Sequence, residues 1–306
     1  MKRLALTLLA LALTLTPLCN LRAQGILTPI LASQVAASAS YTGPGDVTSG
    51  ALAWWGLRAY SSATRGTKAA NVCNPSDVAC ADVSTDATTG NLVLTTIGGH
   101  DCTMDDCTVK TLYDKSGGTN CTGSVVCDLT QATIGNRPLL KHNCLGTTLW
   151  CMTWTSGQSL VSVSVASTLS DPYTMSVVGE RTAGFTTDAA LIGDVSGNSG
   201  QINFITSANT IQLYSGAASL TATANDSVFH AVQGLSTATP LTGAKLYIDG
   251  TLTTGQSNAN SITDGLCMGT CNNGGTVSTA EGGFWAGDKS ANFSTMNSNQ
   301  HTYWGF

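Results

Sequence analysis

The sequence predicts an all-β protein built as a two-sheet antiparallel sandwich or jelly roll. Short segments of alternating apolar and polar residues follow one another, separated by turns rich in Gly, Asn, Asp and Ser, with no helical patterns between them. Hydrophobic residues make up 42% of the 306 residues and charged residues only 10%, which is too apolar for a disordered chain. Short strands at such spacing are typical of a sandwich and not of a parallel α/β sheet.

Eight segments carry the strand pattern. They are Asn91–Thr96, Thr108–Tyr113, Ser159–Val165, Tyr173–Glu180, Gln201–Thr206, Thr210–Tyr214, Val228–Gly234 and Ala244–Ile248. Asp249-Gly250, directly after the last segment, is a hairpin signal. A short N-terminal helix is expected over Ala51–Ser61, because Leu52, Trp55 and Ala59 recur there at helical spacing. Tyr303–Phe306 is expected to pack as a final strand or a capping segment.

The first residues predict a secretory signal, and hence a secreted or periplasmic protein. Lys2 and Arg3 precede an apolar run from Leu4 to Leu15, and Ala23 suits cleavage. The run is shorter than the ~20 residues that a membrane-spanning helix needs, and no later stretch approaches that length. Three parts are therefore expected: a signal peptide over 1–23, a linker or arm over 24–48, and a β-sandwich domain over 49–306.

The cysteines also fit export. Of 11 cysteines, Cys19 lies in the predicted signal, and the other ten fall into five close pairs. The pairs are Cys73/Cys80, Cys102/Cys107, Cys121/Cys127, Cys144/Cys151 and Cys267/Cys271. An even number of paired cysteines in an oxidising compartment favours local disulfides, and no C-x-x-C motif supports structural zinc.

Several function classes have no support. The formal net charge of −5 disfavours a nucleic-acid partner, and neither a P-loop nor a dinucleotide fingerprint occurs. No G-x-S-x-G elbow accompanies the abundant serines, and His230 lies within a strand pattern that favours packing over catalysis. Calcium is left open, because loop carboxylates could supply oxygen ligands. The candidates are Asp105, Asp106, Asp114 and Asp194.

Several segments together resemble one family. The loop Cys102–Cys107, the turn Tyr113-Asp-Lys-Ser-Gly117, the run Leu129-Thr-Gln-Ala132 and the earlier Leu57-Arg-Ala-Tyr60 are similar to the catalytic domain of α-L-arabinofuranosidase B, glycoside hydrolase family 54. The turn also resembles segments of the wider concanavalin A-like and laminin G-like sandwiches. The resemblance runs from about residue 50 to 306. It implies a concanavalin A-like jelly roll that acts on arabinofuranosyl groups.

The residues at the family's catalytic places are not carboxylates. The place of its nucleophilic Glu falls on Gln201 or Ile202, and that of its acid/base Asp falls on Asn272 or Asn273. Its pocket-lining pair of adjacent cysteines has no equivalent near Asp188–Leu191. An amide cannot attack a glycosidic carbon, but it can bond a sugar hydroxyl. Asn203 is a further amide of this kind.

Other residues could supply the missing chemistry. Asp194 and Glu281 are the substitute catalytic candidates, whereas Glu180 beside Arg181 favours an ion pair. Trp285, with Trp154 as an alternative, is the aromatic candidate for stacking on a sugar, although tryptophan in a sandwich more often packs between sheets. Three hypotheses follow: hydrolysis of α-L-arabinofuranosyl groups, lectin-like glycan binding by the same groove, and a structural surface or adhesion domain.

Overall fold

The computed structural model describes residues 40–306 except 95, 145–147, 183–186, 198, 206–208, 217–218, 238–242, 257–259 and 272–273. By its contacts the chain divides into two units, Met1–Tyr41 and Thr42–Phe306. Of the first unit only Ser40 and Tyr41 are described, so the predicted signal peptide lies outside the described residues. In the described part, no helix is long and apolar enough to cross a membrane.

The described residues of the second unit form twenty strands and two α-helices. The strands are β1 (Ala53–Gly56), β2 (Lys68–Cys73), β3 (Cys80–Ser84), β4 (Thr96–Ile97), β5 (His100–Asp101), β6 (Thr108–Leu112), β7 (Leu129–Thr130), β8 (Leu139–His142), β9 (Trp150–Trp154), β10 (Ser159–Ser164), β11 (Tyr173–Arg181), β12 (Ala189–Asp194), β13 (Gln201–Phe204), β14 (Thr210–Tyr214), β15 (Ser219–Thr223), β16 (His230–Ser236), β17 (Ala244–Ile248), β18 (Thr251–Gly255), β19 (Gly265–Gly269) and β20 (Val277–Ala286). The helices are α1 (Pro44–Val47) and α2 (Phe293–Trp304), and single 3-10 turns occupy Ser62–Thr64, Cys102–Met104, Ile134–Asn136 and Ser290–Asn292.

The strands form an antiparallel sandwich, as predicted. Sheet one has the order β18-β17-β16-β11-β20-β1, and sheet two has the order β15-β14-β13-β12-β19-β10-β7. At one end, β9-β8-β6-β2-β3 pairs with β20 and β7 and joins the two sheets. β12 packs on β11 and β20 across the core.

Both faces of sheet one are covered. Along β11, Met175 and Val177 belong to the main core between the sheets, while Ser176 on the opposite face bonds Gln300 of α2. α2 buries Phe293, Met296, Asn297, Gln300 and Trp304, spaced as one helical stripe, and ends at Gly305, whose φ of 79° suits a glycine C-cap. The last residues are therefore the end of a helix, and not a strand.

The helix predicted over Ala51–Ser61 is wrong, because residues 53–56 form strand β1 against β20. Trp55 points into the main core and donates its Nε1–H to the Cys127 carbonyl. Trp54 points the other way and packs on Trp285. A strand buried on both faces is apolar throughout, so its residues also satisfy a helical pattern.

The end of the predicted arm is packed in the structure. Gly45 N–H donates to the Tyr60 carbonyl at 2.7 Å, and the Asp46 carboxylate accepts from Gly43 N–H at 2.8 Å. Asn299 of α2 donates to the Thr42 carbonyl at 2.8 Å. Residues 42–48 are thus held by the backbone of Tyr60, which follows β1, and by α2.

Each close pair of cysteines forms a disulfide in the structure: Cys73–Cys80, Cys102–Cys107, Cys121–Cys127, Cys144–Cys151 and Cys267–Cys271. The bridges span only four to seven residues of sequence. Closing so short a loop removes little entropy from the unfolded chain. Each bridge therefore fixes a local turn more than it stabilises the sandwich.

A buried ion pair connects β20 to the first strands under α2. Arg58 and Glu281 both have fully buried side chains and make a two-point contact, from Arg58 Nε and Nη2 to the two Glu281 oxygens. Gln300 donates to the same carboxylate at 3.0 Å, and Arg58 also donates to Asn299 at 2.9 Å. A buried charge is tolerated only when it is paired and hydrogen-bonded, and this one is.

A second cation is buried beside this pair without a carboxylate of its own. Lys115 is 5% exposed, and its Nζ donates to the Arg58 carbonyl at 2.9 Å. Burial lowers the pKa of Lys115 to about 7, and the charge of Glu281 only partly opposes this effect. The buried amine of Lys115 therefore changes between its charged and neutral forms near neutral pH.

Arg58→Met should destabilise the protein by about 3–5 kcal/mol, because it leaves the Glu281 charge buried without a partner. The double variant Arg58→Met/Glu281→Met should cost clearly less than the sum of the two single variants. Guanidinium unfolding with the disulfides intact measures both. Lys110→Met, on an exposed lysine, is the control and should stay within about 0.5 kcal/mol of wild type. Additive single effects would contradict the role assigned to the pair.

Lys115→Met should raise stability below pH 7, by roughly 1–4 kcal/mol, because it removes the cost of a buried charge. Between about pH 7 and the ordinary lysine pKa of about 10.4, the unfolded chain binds a proton at this residue that the folded chain does not. Wild-type stability should therefore gain a contribution that rises with pH across this window, and the variant should lack it. Unfolding curves from pH 6 to 10 test this, with Lys110→Met as control; parallel pH curves for wild type and Lys115→Met would refute it.

Candidate functional site

The turn between β12 and β13 is built around Asp194. Its Oδ1 accepts from Ser199 N–H at 3.2 Å and from Gly200 N–H at 3.1 Å, and Ser196 Oγ donates to its other oxygen. Asp194 is fully buried. The carboxylate closes the turn and thereby fixes where β13 begins, so it is not placed to touch a ligand.

Four polar side chains from β13 and β14 share one face of sheet two. Gln201 lies opposite Tyr214, and Asn203 lies opposite Gln212. The intervening Ile202 and Phe204 point into the core, as the two-residue period of a strand requires. The result is a block of two amides from β13 and one amide and one phenol from β14, none of them charged.

These side chains line a cavity of about 260 Å³, together with Asp188 and Gly197. Gln201 and Asn203 are 2% and 3% exposed. Gln201 Nε2 donates to the Cys271 carbonyl at 3.4 Å, which ties the cavity to the turn after the Cys267–Cys271 bridge. Asn272 and Asn273, the next residues, lie outside the described residues.

Asn203, which lines this cavity, has an acceptor atom that is not satisfied. Its Oδ1 is buried and accepts no hydrogen bond from the residues that the structure describes. A buried acceptor left in this state costs roughly 1–3 kcal/mol, and most buried polar atoms in native proteins are satisfied. The oxygen is closed off from solvent, so a molecule in the cavity would bond it only after the Asn203 amide turns toward the cavity.

The other candidates from the sequence do not belong to this cavity. Glu281 is sealed under α2 against Arg58. Trp285 is fully buried between Trp54 and Met296 and donates to the Thr48 carbonyl at 3.3 Å. Trp154 is also in the core, with its Nε1–H on Thr279. Both tryptophans pack the interior, so the aromatic group at the cavity is Tyr214.

The calcium candidates are engaged by donors. Asp114 accepts from the N–H groups of Trp54, Ser116 and Cys127, and burial raises its pKa. Within the described residues, the sets of possible metal ligands that converge are Cys73, Asp77 and Cys80, and His100, Asp106 and Cys107. Both sets contain disulfide-bonded cysteines, whose sulfurs are not thiolate ligands.

Two arabinofuranosidases are among the solved structures that share this fold. One is a GH54 α-L-arabinofuranosidase soaked with a cyclic sulfate inhibitor, 17% identical, with a TM-score of 0.61 over 86% of this chain and 65% of that one. Another is an arabinofuranosidase complexed with arabinofuranosyl-α-1,2-xylobiose, also 17% identical, with a TM-score of 0.60 over 86% of this chain and 64% of that one. The chain has the fold of these arabinofuranosidases.

The predicted resemblance is thus confirmed at the level of the fold. The chain spans less than two thirds of the length of these similar structures. No protein-family model matches the sequence, and no curated protein matches it.

Sequence reasoning found Gln201 and Asn203 but missed Gln212, Tyr214 and Asp188 as cavity residues. Gln212 and Tyr214 had a signal, because they share the outward alternation of β14 within a predicted strand. Asp188 had a weaker one, since the resemblance places a pocket-lining segment at Asp188–Leu191. Only the register between β13 and β14 shows that these residues meet.

Asp194→Ala should lower stability by roughly 1–3 kcal/mol, because the N–H groups of Ser199 and Gly200 lose their acceptor inside the fold. Chemical denaturation measures the change. Asp264→Asn, on a carboxylate outside the turn, should stay within about 0.5 kcal/mol of wild type. If Asp194→Ala is as stable as the control, the carboxylate does not organise the turn.

Proposed function

We propose that the cavity lined by Gln201, Asn203, Gln212, Tyr214 and Asp188 binds a neutral sugar of a polysaccharide without cleaving it. The convergence of the Gln201, Asn203 and Gln212 amides on one cavity carries the proposal, because amides pair with the hydroxyls of a neutral sugar. The amide of Gln212 offers both a donor and an acceptor, which matches vicinal hydroxyls that do both. A sugar hydroxyl would also satisfy Asn203 Oδ1 once that amide turns toward the cavity.

The size of the cavity favours a single sugar over a long chain segment. Its volume of about 260 Å³ is just below the ~300–1,000 Å³ of pockets that hold drug-sized ligands. Larger cavities of about 500 Å³ occur elsewhere, but the carboxylates of both are already bonded within the fold. The smaller cavity has the converging amides and the unpartnered acceptor.

Retaining hydrolysis has weaker support. It needs two carboxyl groups about 5 Å apart, one of them a nucleophile. Among the described lining residues, Asp188 is the only carboxylate, and Asp194 and Glu281 are committed to the turn and to Arg58. Asn272 and Asn273, which follow Cys271 in the sequence, remain sequence-based predictions for a sugar site. We therefore favour a site that holds its sugar.

The ligand we propose is an arabinofuranosyl-bearing polysaccharide. The shared fold supports this choice, since a similar protein was solved with arabinofuranosyl-α-1,2-xylobiose. The signal-like residues 1–23 and the five local disulfides support export to an oxidising compartment, where such polymers are met. The rival proposals are hydrolysis of the same groups and a structural surface or adhesion domain.

Calorimetric titration with arabinan, arabinoxylan and a β-glucan control tests binding. We expect the arabinose-bearing ligands to bind with little dependence on salt, because the amides that hold them are neutral. Gln201→Ala should weaken binding by about 1–3 kcal/mol. Asn71→Ala, an amide on β2 that donates to Asp82 at the surface, should bind like wild type.

Asn203→Leu separates binding from folding. The change removes the buried acceptor without leaving a large hole, so the free protein should keep or gain stability while binding is lost. Equal binding by Asn203→Leu and wild type, or no binding of any tested polymer by wild type, would rule the proposal out. Release of arabinose from an aryl α-L-arabinofuranoside at an ordinary enzyme rate, about 1 per second or faster, would replace it with hydrolysis.

A further inference from the structure

The carboxylate of Asp249 lies between two histidine rings. His230 Nδ1 lies 2.5 Å from Asp249 Oδ2, and His301 Nε2 lies 3.0 Å from Asp249 Oδ1. The same Oδ1 accepts from Ala231 N–H at 2.9 Å. His230 begins β16, Asp249 follows β17 in its turn to β18, and His301 belongs to the last turn of α2. One side chain therefore joins three elements of the fold.

The second nitrogen of each ring faces a carbonyl. His230 Nε2 lies 2.8 Å from the Asn225 carbonyl, and His301 Nδ1 lies 2.6 Å from the Phe306 carbonyl. A carbonyl can only accept, so each of these nitrogens carries a hydrogen. A neutral imidazole has one such hydrogen, and its other nitrogen would then direct a lone pair at the carboxylate. With Asp249 ionised, the two contacts of His230 are both satisfied only when its ring carries both hydrogens and is cationic.

The surrounding charges are consistent with a cation at His230. Asp249 faces it from the β17–β18 turn, Asp226 from the segment before β16, and Glu180 from β11. Asp226 is itself paired with Arg181 of β11 at 2.9 Å, and His301 is the group that α2 contributes. Burial opposes the charge of His230, but the bonds to Asp249 and to the Asn225 carbonyl outweigh it and raise the pKa of the ring.

A metal ion fits this arrangement less well than protons do. The two rings approach different oxygens of the carboxylate. Of the described residues, the three do not bring one ligand atom each to within 4.8 Å of one another, as the converging sets elsewhere in the chain do. Protons on the two rings satisfy every contact as it stands.

We propose that His230, Asp249 and His301 form a proton-dependent clamp that holds the C-terminal end of α2 against β16 and the β17–β18 turn. A cavity of about 500 Å³ reaches His230 and Asp249, so protons can exchange with solvent. When His230 loses a proton, it must give up either Asp249 or the Asn225 carbonyl. Where His230 gives up Asp249, the carboxylate that holds His301 loses one of its two ring partners, and the end of α2 is held less firmly.

The clamp has a working range with two limits. Burial alone would raise the pKa of Asp249, but the bond to His230 and its charge outweigh burial, so this pKa is lowered. The contribution of Asp249 to stability is therefore lost only when the pH falls through that lowered value. The pKa of His230 is raised, so its contribution is complete below the unfolded value of about 6.5 and is lost as the pH rises through the folded value. The clamp is therefore closed in mild acid and opens on the alkaline side.

Nitrogen-15 NMR of the wild-type protein tests the protonation directly. Below the ordinary histidine pKa of about 6.5, both ring nitrogens of His230 should carry protons, and this ring should titrate above that value. Finding the His230 ring neutral at pH 6 would overturn the proposal. A shift of both rings on adding Zn²⁺, reversed by a chelator, would overturn it in favour of a metal site.

Asp249→Asn tests whether this carboxylate holds the C-terminal end of α2. Asp249 has a φ of 46°, which asparagine also adopts readily, so the turn is kept while the charge is removed. After correction for the intrinsic pH dependence, the amides of residues 301–304 should exchange about tenfold faster than wild type at pH 6 and nearly equally at pH 9. Asp106→Asn, which removes the carboxylate from the more exposed pair with His100, should leave this exchange unchanged. Equal exchange in Asp249→Asn and wild type at pH 6 would refute the clamp.

Discussion

The pairing of Arg58 with Glu281 is the interaction on which the organisation of this molecule depends. It joins the segment after β1 to the middle of β20, and its remaining hydrogen bonds come from Gln300 and Asn299 of α2. On sheet one α2 covers this pair, and the buried amides of α2 are satisfied by Glu281 together with Ser176, Ala231 and Gln233. The sandwich and its helix are therefore one cooperative unit.

The burial pattern of each element explains whether the sequence could predict it. Strands such as Thr210–Tyr214 and Ala244–Ile248 alternate cleanly, because one face meets the core and the other meets solvent, and the structure has them at the predicted bounds. β1 fails this test, since Trp54 and Trp55 are buried on opposite faces. The sequence also gives little indication of α2, because Asn297 and Gln300 interrupt the apolar stripe from which a helix is predicted.

The candidate site was accessible to sequence reasoning in part, for a physical reason. Gln201 and Asn203 are identifiable as polar residues that alternate with apolar ones in a strand, where the predicted resemblance places the family's nucleophile. Gln212, Tyr214 and Asp188 reach them only through strand register and the path of β12, which depend on long-range pairing. Glu281 was a catalytic candidate because the sequence around it gives no indication that Arg58, far away along the chain, pairs with it in the fold.

The shortness of the five disulfide loops bears on how the chain is made. Each bridge closes over four to seven residues, so in a chain exported as proposed, both of its cysteines would leave a translocation pore almost together. In an oxidising compartment the bridges could be completed in chain order, with no distant cysteine required. Pairing errors would then be limited by the order of arrival, and the chain would need little help from isomerases to reach its native connectivity.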